Sequence, residues 1–318
     1  MSNQSLISII IPLYNKEEYF ERCFNSVTKQ IYKNIECIIV EDCSTDNSLK
    51  IAAGLINNYQ GNIKFNLIKH DKNGGLSAAR NTGINNSSGS YVYFLDSDDE
   101  ITDNCILSLA NLISKYPDAD IVQGNLFQSP RVQNDKYNLK GRLPEYINDN
   151  LKIKKKYYIT NRLPANSVNK LIKKSFITDN HLYFKPGLVH EDYHWLFFAV
   201  KKLKSFAFTE DFCYIRYFVP GSIMTNPNLS GSISGYLCIL NDMLNNLDND
   251  LLEYQLSYIY FKLKQQKKII LSDPEYSQFL PECNRLLKKM PKGLFFIHAG
   301  FSYDFNKIKC FLRNIINK

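Results

Sequence analysis

Tyr91-Val92-Tyr93-Phe94-Leu95-Asp96-Ser97-Asp98-Asp99-Glu100 joins an apolar run to a burst of carboxylates. The first half reads as a buried strand, and the second delivers negative charge to a fixed point at the sheet's edge. Carboxylates crowded this way raise one another's pKa. A hard divalent cation, Mg2+ or Mn2+, relieves the repulsion and completes its shell with water and phosphate oxygens. The stretch therefore points to metal-assisted chemistry on a phosphate-bearing substrate. Asp, Ser and Glu also populate turns and helix caps, and Thr102-Asp103 just beyond resembles a helix start. The neighbouring segments have to choose between these readings.

Working outward, Leu6 to Leu13 is a nearly unbroken β-rich run, as in a strand buried on both faces of a parallel sheet. Tyr19, Phe20, Cys23, Phe24 and Val27 recur at helical spacing. Cys37 to Val40 is a second strand, followed by a polar loop and a helix around Leu49 to Ile56. Ile63 to Ile68 alternates as a third strand, and Asn73-Gly74-Gly75 turns into a helix near Ser77 to Asn85. A further helix covers Ile106 to Ile113, and Ile121-Val122 starts another strand. Strands and helices alternating in short units predict an α/β fold with a doubly wound, mostly parallel sheet. Ligands of such sheets bind beyond the carboxyl ends of the strands. Glu41-Asp42, Asp71 and Asp96 to Asp98 all follow strands, so three acidic loops are expected on one crevice.

The chain has 318 residues, 44% of them hydrophobic, enough for one large core or two smaller ones. No apolar run approaches the ~18 residues of a membrane span, and Met1 to Ser5 lacks the basic start of a signal peptide. The eight cysteines are scattered without a C-x-x-C pair, which suggests reduced core residues and a cytoplasmic setting. Residues 255–318 hold twelve Lys and Arg against four acids, which accounts for the whole net charge of +8. Residues 128–162 are polar and Lys-rich, in the manner of a loop over the site. His190-Glu191-Asp192 opens a helical run through Trp195, which reads as a core residue. From about Asn226 the chain is helical.

Pro12-Leu13-Tyr14-Asn15, Val40 to Asp46, Asn73 to Asn81 and Leu95 to Asp99 resemble successive motifs of the family 2 glycosyltransferases, inverting enzymes with the GT-A fold. Asn169-Lys170-Leu171-Ile172, Glu191-Asp192 and Tyr214-Ile215-Arg216 ahead of Gly221-Ser222-Ile223 resemble later segments in the same order. The resemblance covers residues 6 to about 225. It implies a catalytic domain at 1–225, with a nucleotide-binding half at about 1–125 and an acceptor half at about 126–225, and leaves 226–318 as a basic helical region.

The resemblance also implies roles. Asp42 would contact the uridine of a UDP-sugar, with Pro12, Asp71 and Arg80 completing the nucleotide pocket and Asp96 by the ribose. Asp98 would hold a divalent metal, Mn2+ or Mg2+, on the diphosphate. Asp192 would be the catalytic base, and Lys170, Glu191 and Arg216 would contact acceptor or diphosphate. Plainer readings stand beside these: Asp42 and Asp71 as cap or turn residues, Arg80 as a surface ion pair, Glu191-Asp192 as acids favoured at a helix start. The Q-x-x-R-W motif and membrane helices of processive relatives are absent, so single-sugar transfer is expected.

The implied partners are a nucleotide-sugar donor and a glycan or lipid-linked acceptor of surface polysaccharide synthesis. Leu294 to Ile297 and Phe311 to Ile316 interleave with Lys292, Lys307, Lys309 and Arg313, a mixture suited to an anionic bilayer surface on the cytoplasmic face of the inner membrane. The alternative for this region is a helical cap or homodimer contact. No nucleic-acid-binding motif is present. Two other functions compete. A sugar nucleotidyltransferase would carry a glycine-rich, basic loop where Pro12 to Lys16 stands. A non-catalytic nucleotide-sugar or glycan-binding protein would not need both Asp98 and Asp192.

Overall fold

The computed structural model describes residues 4–130, 138–141, 143–158, 163–219 and 229–290. Strand β1, Ile7–Leu13, is buried at all seven positions, as its unbroken apolar run requires. It lies between β2 (Ile35–Glu41) and β4 (Tyr91–Phe94), parallel to both, and β3 (Lys64–Lys69) adds to β2, again parallel. Exposure alternates along β3, as at the edge of a sheet. Leu13 is in register with Glu41, Glu41 with Lys69, and Ile10 with Phe94. That register brings the loops after β2, β3 and β4 to one edge.

Helices α1 (Phe20–Thr28), α2 (Ser48–Asn58) and α3 (Gly75–Asn85) alternate with these strands. Helix α3 lies against β1 and β2. A Cβ at Gly83 would come within 2.2 Å of Ile10 Cγ2, so only glycine lets the helix approach this closely. Phe24 of α1 stacks on Phe65 of β3 with ring centroids 4.6 Å apart.

Beyond β4 the sheet changes character. Helix α4 (Cys105–Lys115) leads into β6 (Ile121–Ser129), and β8 (Lys170–Lys173) inserts antiparallel between β4 and β6. Strand β9 (Phe206–Tyr217) runs parallel to β6, with β5 (Glu100–Ile101) and β7 (Tyr146–Ile147) antiparallel to it. The order is β3-β2-β1-β4-β8-β6-β9-β5, with β7 also on β9. Helices α5 (Asn150–Tyr158), α6 (Lys174–Asp179) and α7 (Glu191–Lys202) complete the connections.

Strand β6 continues well past Gly124, where the sequence pattern fades. A Cβ at Gly124 would meet Cys213 Cβ at 2.6 Å, and the β6–β9 register shifts between Gln123 and Leu126. A bulge at a small residue interrupts the alternation without ending the strand. The expected loop over 128–162 lies partly outside the described residues, and its described part contains β7 and α5. Trp195 is buried, stacked on Phe184, and donates its Nε1–H to Leu182 O at 2.8 Å.

The chain divides into two units, residues 1–153 with 162–226, and residues 154–161 with 227–318. The first holds the sheet. The second contains α8 (Leu229–Asn245), α9 (Leu252–Ile270), a 3-10 turn (Pro274–Phe279) and α10 (Leu280–Lys288). Ile233, Leu237, Leu240, Ile259, Leu263 and Leu286 are buried there, while Lys264, Lys268, Lys288 and Lys289 are exposed. Lys154, buried, pairs with Asp248 at 3.2 Å and Asp250 at 3.1 Å. Among the described residues no helix is long and apolar enough to cross a membrane. The seven described cysteines are free, five of them buried. Gly221 to Ile223 and the basic-aromatic segments beyond Met290 lie outside the described residues.

Candidate functional site

Strand β4 ends at the acidic loop, and each acid of the loop meets a different partner. Asp96 Oδ1 accepts from Arg80 Nη2 at 3.1 Å. Asp98 Oδ2 accepts from Lys16 Nζ at 2.6 Å, and Asp98 O accepts from Arg22 Nη2 at 2.7 Å. Asp99 accepts from Tyr214 OH at 2.7 Å and from Tyr217 N–H at 2.8 Å. Glu100 pairs with Arg22 at 3.0 Å, and the Arg22 guanidinium lies 3.5 Å from the centre of the Tyr217 ring. Asp99 and Glu100 fasten the loop to β9, and Glu100 opens β5. Burial, together with Asp96 and Asp98, pushes the Asp99 carboxyl up to about 8.

Arg80 stands at the centre of the site. It is 1% exposed, and its Nη1 donates to Glu191 Oε1 at 2.7 Å and to Asp192 Oδ1 at 3.1 Å. One guanidinium thus joins the acidic loop after β4 to the first turn of α7. The reading of Arg80 as a surface ion pair fails on burial. As a nucleotide contact Arg80 would have the second Nη2 N–H and the unpartnered, buried Nε–H to offer. The next residue, Asn81, supports the arrangement: its side chain pairs with both backbone groups of Phe184, at 2.7 and 2.9 Å. The Phe184 ring in turn lies 5.2 Å from the Arg80 guanidinium.

Three carboxylates around one guanidinium leave an excess of negative charge. Burial and the neighbouring Asp192 push Glu191 up to about 7, against the pull of Arg80. Burial raises Asp96 as well; Arg80 and Arg216 oppose it, while Asp98 and Asp192 add to it. Arg216 lies on β9, in register with Gln128 of β6. Asp192 remains 24% exposed and Asp96 34%, so both carboxylates retain access to solvent.

Asp42 takes the turn role that stood beside its nucleotide role. Its Oδ1 accepts from Gly74 N–H at 2.8 Å and its Oδ2 from Gly75 N–H at 2.7 Å, while Asn73 Nδ2 donates to Asp42 O at 2.9 Å. His70 Nδ1 lies 2.6 Å from Asp42 Oδ1, and His70 Nε2 lies 2.9 Å from Thr82 Oγ1. The buried carboxylate holds the Asn73-Gly74-Gly75 turn, in which Gly75 has φ +79°. Asp71 is exposed beside that turn. Pro12 is buried in β1, where its missing N–H would fall beyond the last residue of β4 in register with it.

Lys170 is 1% exposed. Its Nζ donates to Asn166 O, to Asn166 Oδ1 at 2.9 Å and to Val168 O at 3.5 Å. The ammonium is turned into its own loop, so a direct acceptor or diphosphate contact does not fit. Burial lowers it to about 7, against the favourable charge of Asp192. Lys16, His70 and Tyr214 were missed as site residues. Lys16 follows directly on Pro12 to Asn15 and His70 precedes Asp71, so position was the available signal; for Tyr214 only the β9 pairing reveals it. Glu41 ends β2, and its Oε1 accepts from Ser44 N–H. Its Oε2 is buried without a hydrogen-bond partner.

Among the described residues no group of three or more His, Cys, Asp or Glu side chains is arranged as a metal cage. Asp98 nonetheless offers the hard oxygen that Mg2+ or Mn2+ takes from one or two carboxylates when phosphates supply the rest. It fits as an anchor for a cation carried by a diphosphate.

The fold has parallels among solved structures. Staphylococcus aureus TarS 1–349, crystallised with UDP-GlcNAc, superposes with a TM-score of 0.73 at 21% identity, over 91% of this chain and 82% of that one. The mannosyltransferase PcManGT of Pyrobaculum calidifontis, in complex with GDP-Man and Mn2+, gives 0.59 at 13% identity, over 99% and 81%. In sequence, the poly(ribitol-phosphate) beta-N-acetylglucosaminyltransferase TarP of Staphylococcus aureus is 30% identical over 231 residues, 70% of this chain and 65% of the relative. This chain covers less than two thirds of the length of the curated relatives it matches first. The model of glycosyl transferase family 2 matches residues 8–177, which include the sheet edge with its acidic loop and Arg80. By that match, extending over more than half of its length, the chain belongs to glycosyl transferase family 2.

Proposed function

We propose that the chain is an inverting, metal-dependent glycosyltransferase that moves one sugar from a UDP-linked donor to a hydroxyl of a glycan or lipid-linked acceptor in surface polysaccharide synthesis. The observation that carries this reading is the Arg80 fork, which joins Asp96 beside the proposed diphosphate anchor to Asp192. Inversion needs a base on the side of the sugar opposite the leaving diphosphate, and two separate carboxylate positions held by one rigid cation suit that geometry. The UDP-GlcNAc of TarS and the poly(ribitol-phosphate) in the name of TarP support the donor class and a polymer acceptor. The Mn2+ of PcManGT supports the metal.

In this reading Asp192 accepts the proton of the acceptor hydroxyl as its oxygen attacks the anomeric carbon, and the product linkage is inverted. A positioned carboxylate base contributes about 10²–10⁴-fold. Asp98 anchors the divalent cation, which when bound stabilises charge on the departing diphosphate. Asp42 and His70 act indirectly by shaping the glycine turn. The exposed lysines of α9 and α10 support attachment of the C-terminal region to an anionic membrane surface, where a lipid-linked acceptor resides.

The test is a donor screen with Mn2+ and individual UDP-sugars, following UDP release with and without acceptor. Release from one donor that is lost in Asp98→Ala and Asp192→Asn is the expected result. Undiminished release in those variants would overturn the residue roles. UDP binding without release from any donor would favour a non-catalytic binding protein. For the membrane proposal, the full chain should co-sediment with anionic vesicles and the Lys264→Glu/Lys268→Glu variant should do so less; equal sedimentation would refute it.

A further inference from the structure

Every acid of the crevice with a role in the proposed reaction is paired with a cation of the chain, and these cations differ in their freedom to leave. Arg80 is enclosed among Asp96, Glu191 and Asp192. Arg22 is held between Asp98 O, Glu100 and the Tyr217 ring. Among the described residues Lys16 is held by a single side-chain hydrogen bond, Nζ to Asp98 Oδ2, on a long stem that is 22% exposed, whereas Arg22, although 36% exposed, has three partners. Its backbone is fixed, since Lys16 N–H donates to Ser48 Oγ at 2.7 Å and Lys16 O accepts from Phe20 N–H at 2.9 Å. The anchor is rigid and the ammonium can swing. A flexible four-carbon stem carrying a compact, strongly hydrated charge is the side chain suited to that motion.

The Lys16 ammonium sits 2.6 Å from Asp98 Oδ2, on the carboxylate assigned above to the metal. A divalent cation and an ammonium repel each other, so both cannot bond to this oxygen. A metal arriving alone, even on the other oxygen of Asp98, would meet the ammonium across the same carboxylate and would gain a single carboxylate. A metal arriving with a diphosphate brings the anion that can take the ammonium.

We propose that Lys16 is a movable counter-cation of Asp98, which passes from the carboxylate to the diphosphate of the donor as the metal takes its place. Lys16 thereby makes metal binding conditional on the nucleotide, and nucleotide binding conditional on the metal, since the coupling is reciprocal. It is a positioning residue that keeps Asp98 oriented and neutralised between turnovers. This rests on the metal-dependent reading above.

The test reads binding by the full chain. Mn2+ is titrated into the wild type, Lys16→Met and Lys16→Arg without nucleotide, followed by the loss of the free Mn2+ paramagnetic signal. UDP is then titrated calorimetrically with and without Mn2+. Lys16→Met is expected to bind Mn2+ alone about tenfold tighter and UDP alone about tenfold weaker, with Lys16→Arg, which keeps the charge on a bulkier head, between Lys16→Met and the wild type for both ligands. General damage to the site would weaken both ligands, so opposite signs are the signature. Mn2+ affinity in Lys16→Met equal to or below that of the wild type would overturn the proposal while leaving the metal reading standing. A wild type saturated with UDP that takes up no Mn2+ would overturn both.

Discussion

Arg80 Nη1 lies 3.1 Å from Asp192 Oδ1, although 112 positions separate the two residues. The same guanidinium reaches Asp96 through Nη2. The two halves of the proposed reaction, departure of the diphosphate and deprotonation of the acceptor, are therefore mechanically linked by one planar cation.

Lysine at position 80 retains the charge but cannot span both sides. Arg80→Lys is expected to lower kcat about 10²-fold, the scale of an ångström-sized misplacement. Arg80→Ala leaves three carboxylates without their shared cation and should cost about 3–5 kcal/mol of stability. Steady-state kinetics and denaturant unfolding of the two variants check these outcomes. A fully active Arg80→Lys would show that the fork is not needed.

Asp42 uses both oxygens on the glycine turn. Asparagine offers one acceptor, so Asp42→Asn leaves one backbone N–H without its partner, at a cost of about 1–3 kcal/mol. The expected kinetic effect is a rise in donor KM with kcat nearly unchanged, because the turn shapes the pocket and does not touch the reacting atoms. A fall in kcat at constant KM would contradict this assignment.

Glu191 titrates at about 7 in the folded chain, above the ordinary value of 4.5. Between those two values the unfolded chain releases a proton that the folded chain keeps. Stability from this group therefore falls as pH rises through that window, and the penalty is complete above about pH 7. Glu191→Gln has no proton to lose. Its stability should match the wild type near pH 4.5 and exceed it at pH 8 by about 1–3 kcal/mol. Unfolding free energies across that range provide the measurement, and a gap of opposite sign would refute the reading.

Gly83 meets Ile10 where α3 crosses β1. Gly83→Ala should destabilise the fold by about 1–3 kcal/mol through overpacking. Pairing it with Ile10→Ala should recover part of that loss, which a double-mutant cycle would register as coupling. Additive losses would show that the helix can move aside.

Much of the architecture was legible in short windows. Leu6 to Leu13, Cys37 to Val40 and Tyr91 to Leu95 are strands because apolar β-formers recur without interruption, and that signal is local. The acids after β2, β3 and β4 were likewise expected at one edge, since parallel strands place their carboxyl ends together. The long strand β9 was not legible. Its middle is polar and exposed at Glu210 and Asp211, and its pairing with β6 depends on residues some ninety positions away.

The sequence by itself determined the alternating α/β order, the acidic loop after β4 and the succession of motifs that resembles the family. Only the tertiary structure decided what each acid does: Asp42 holds a turn, Asp99 fastens β9, Asp96 and Asp192 share Arg80, and Asp98 is held by Lys16. The reason is physical. Strand and helix periodicity is written over a few residues, whereas a carboxylate's role depends on burial and on which cation the fold brings within hydrogen-bond distance. For Lys16 and Asp98 that partner stands 82 positions away, and for Arg80 and Glu191 111.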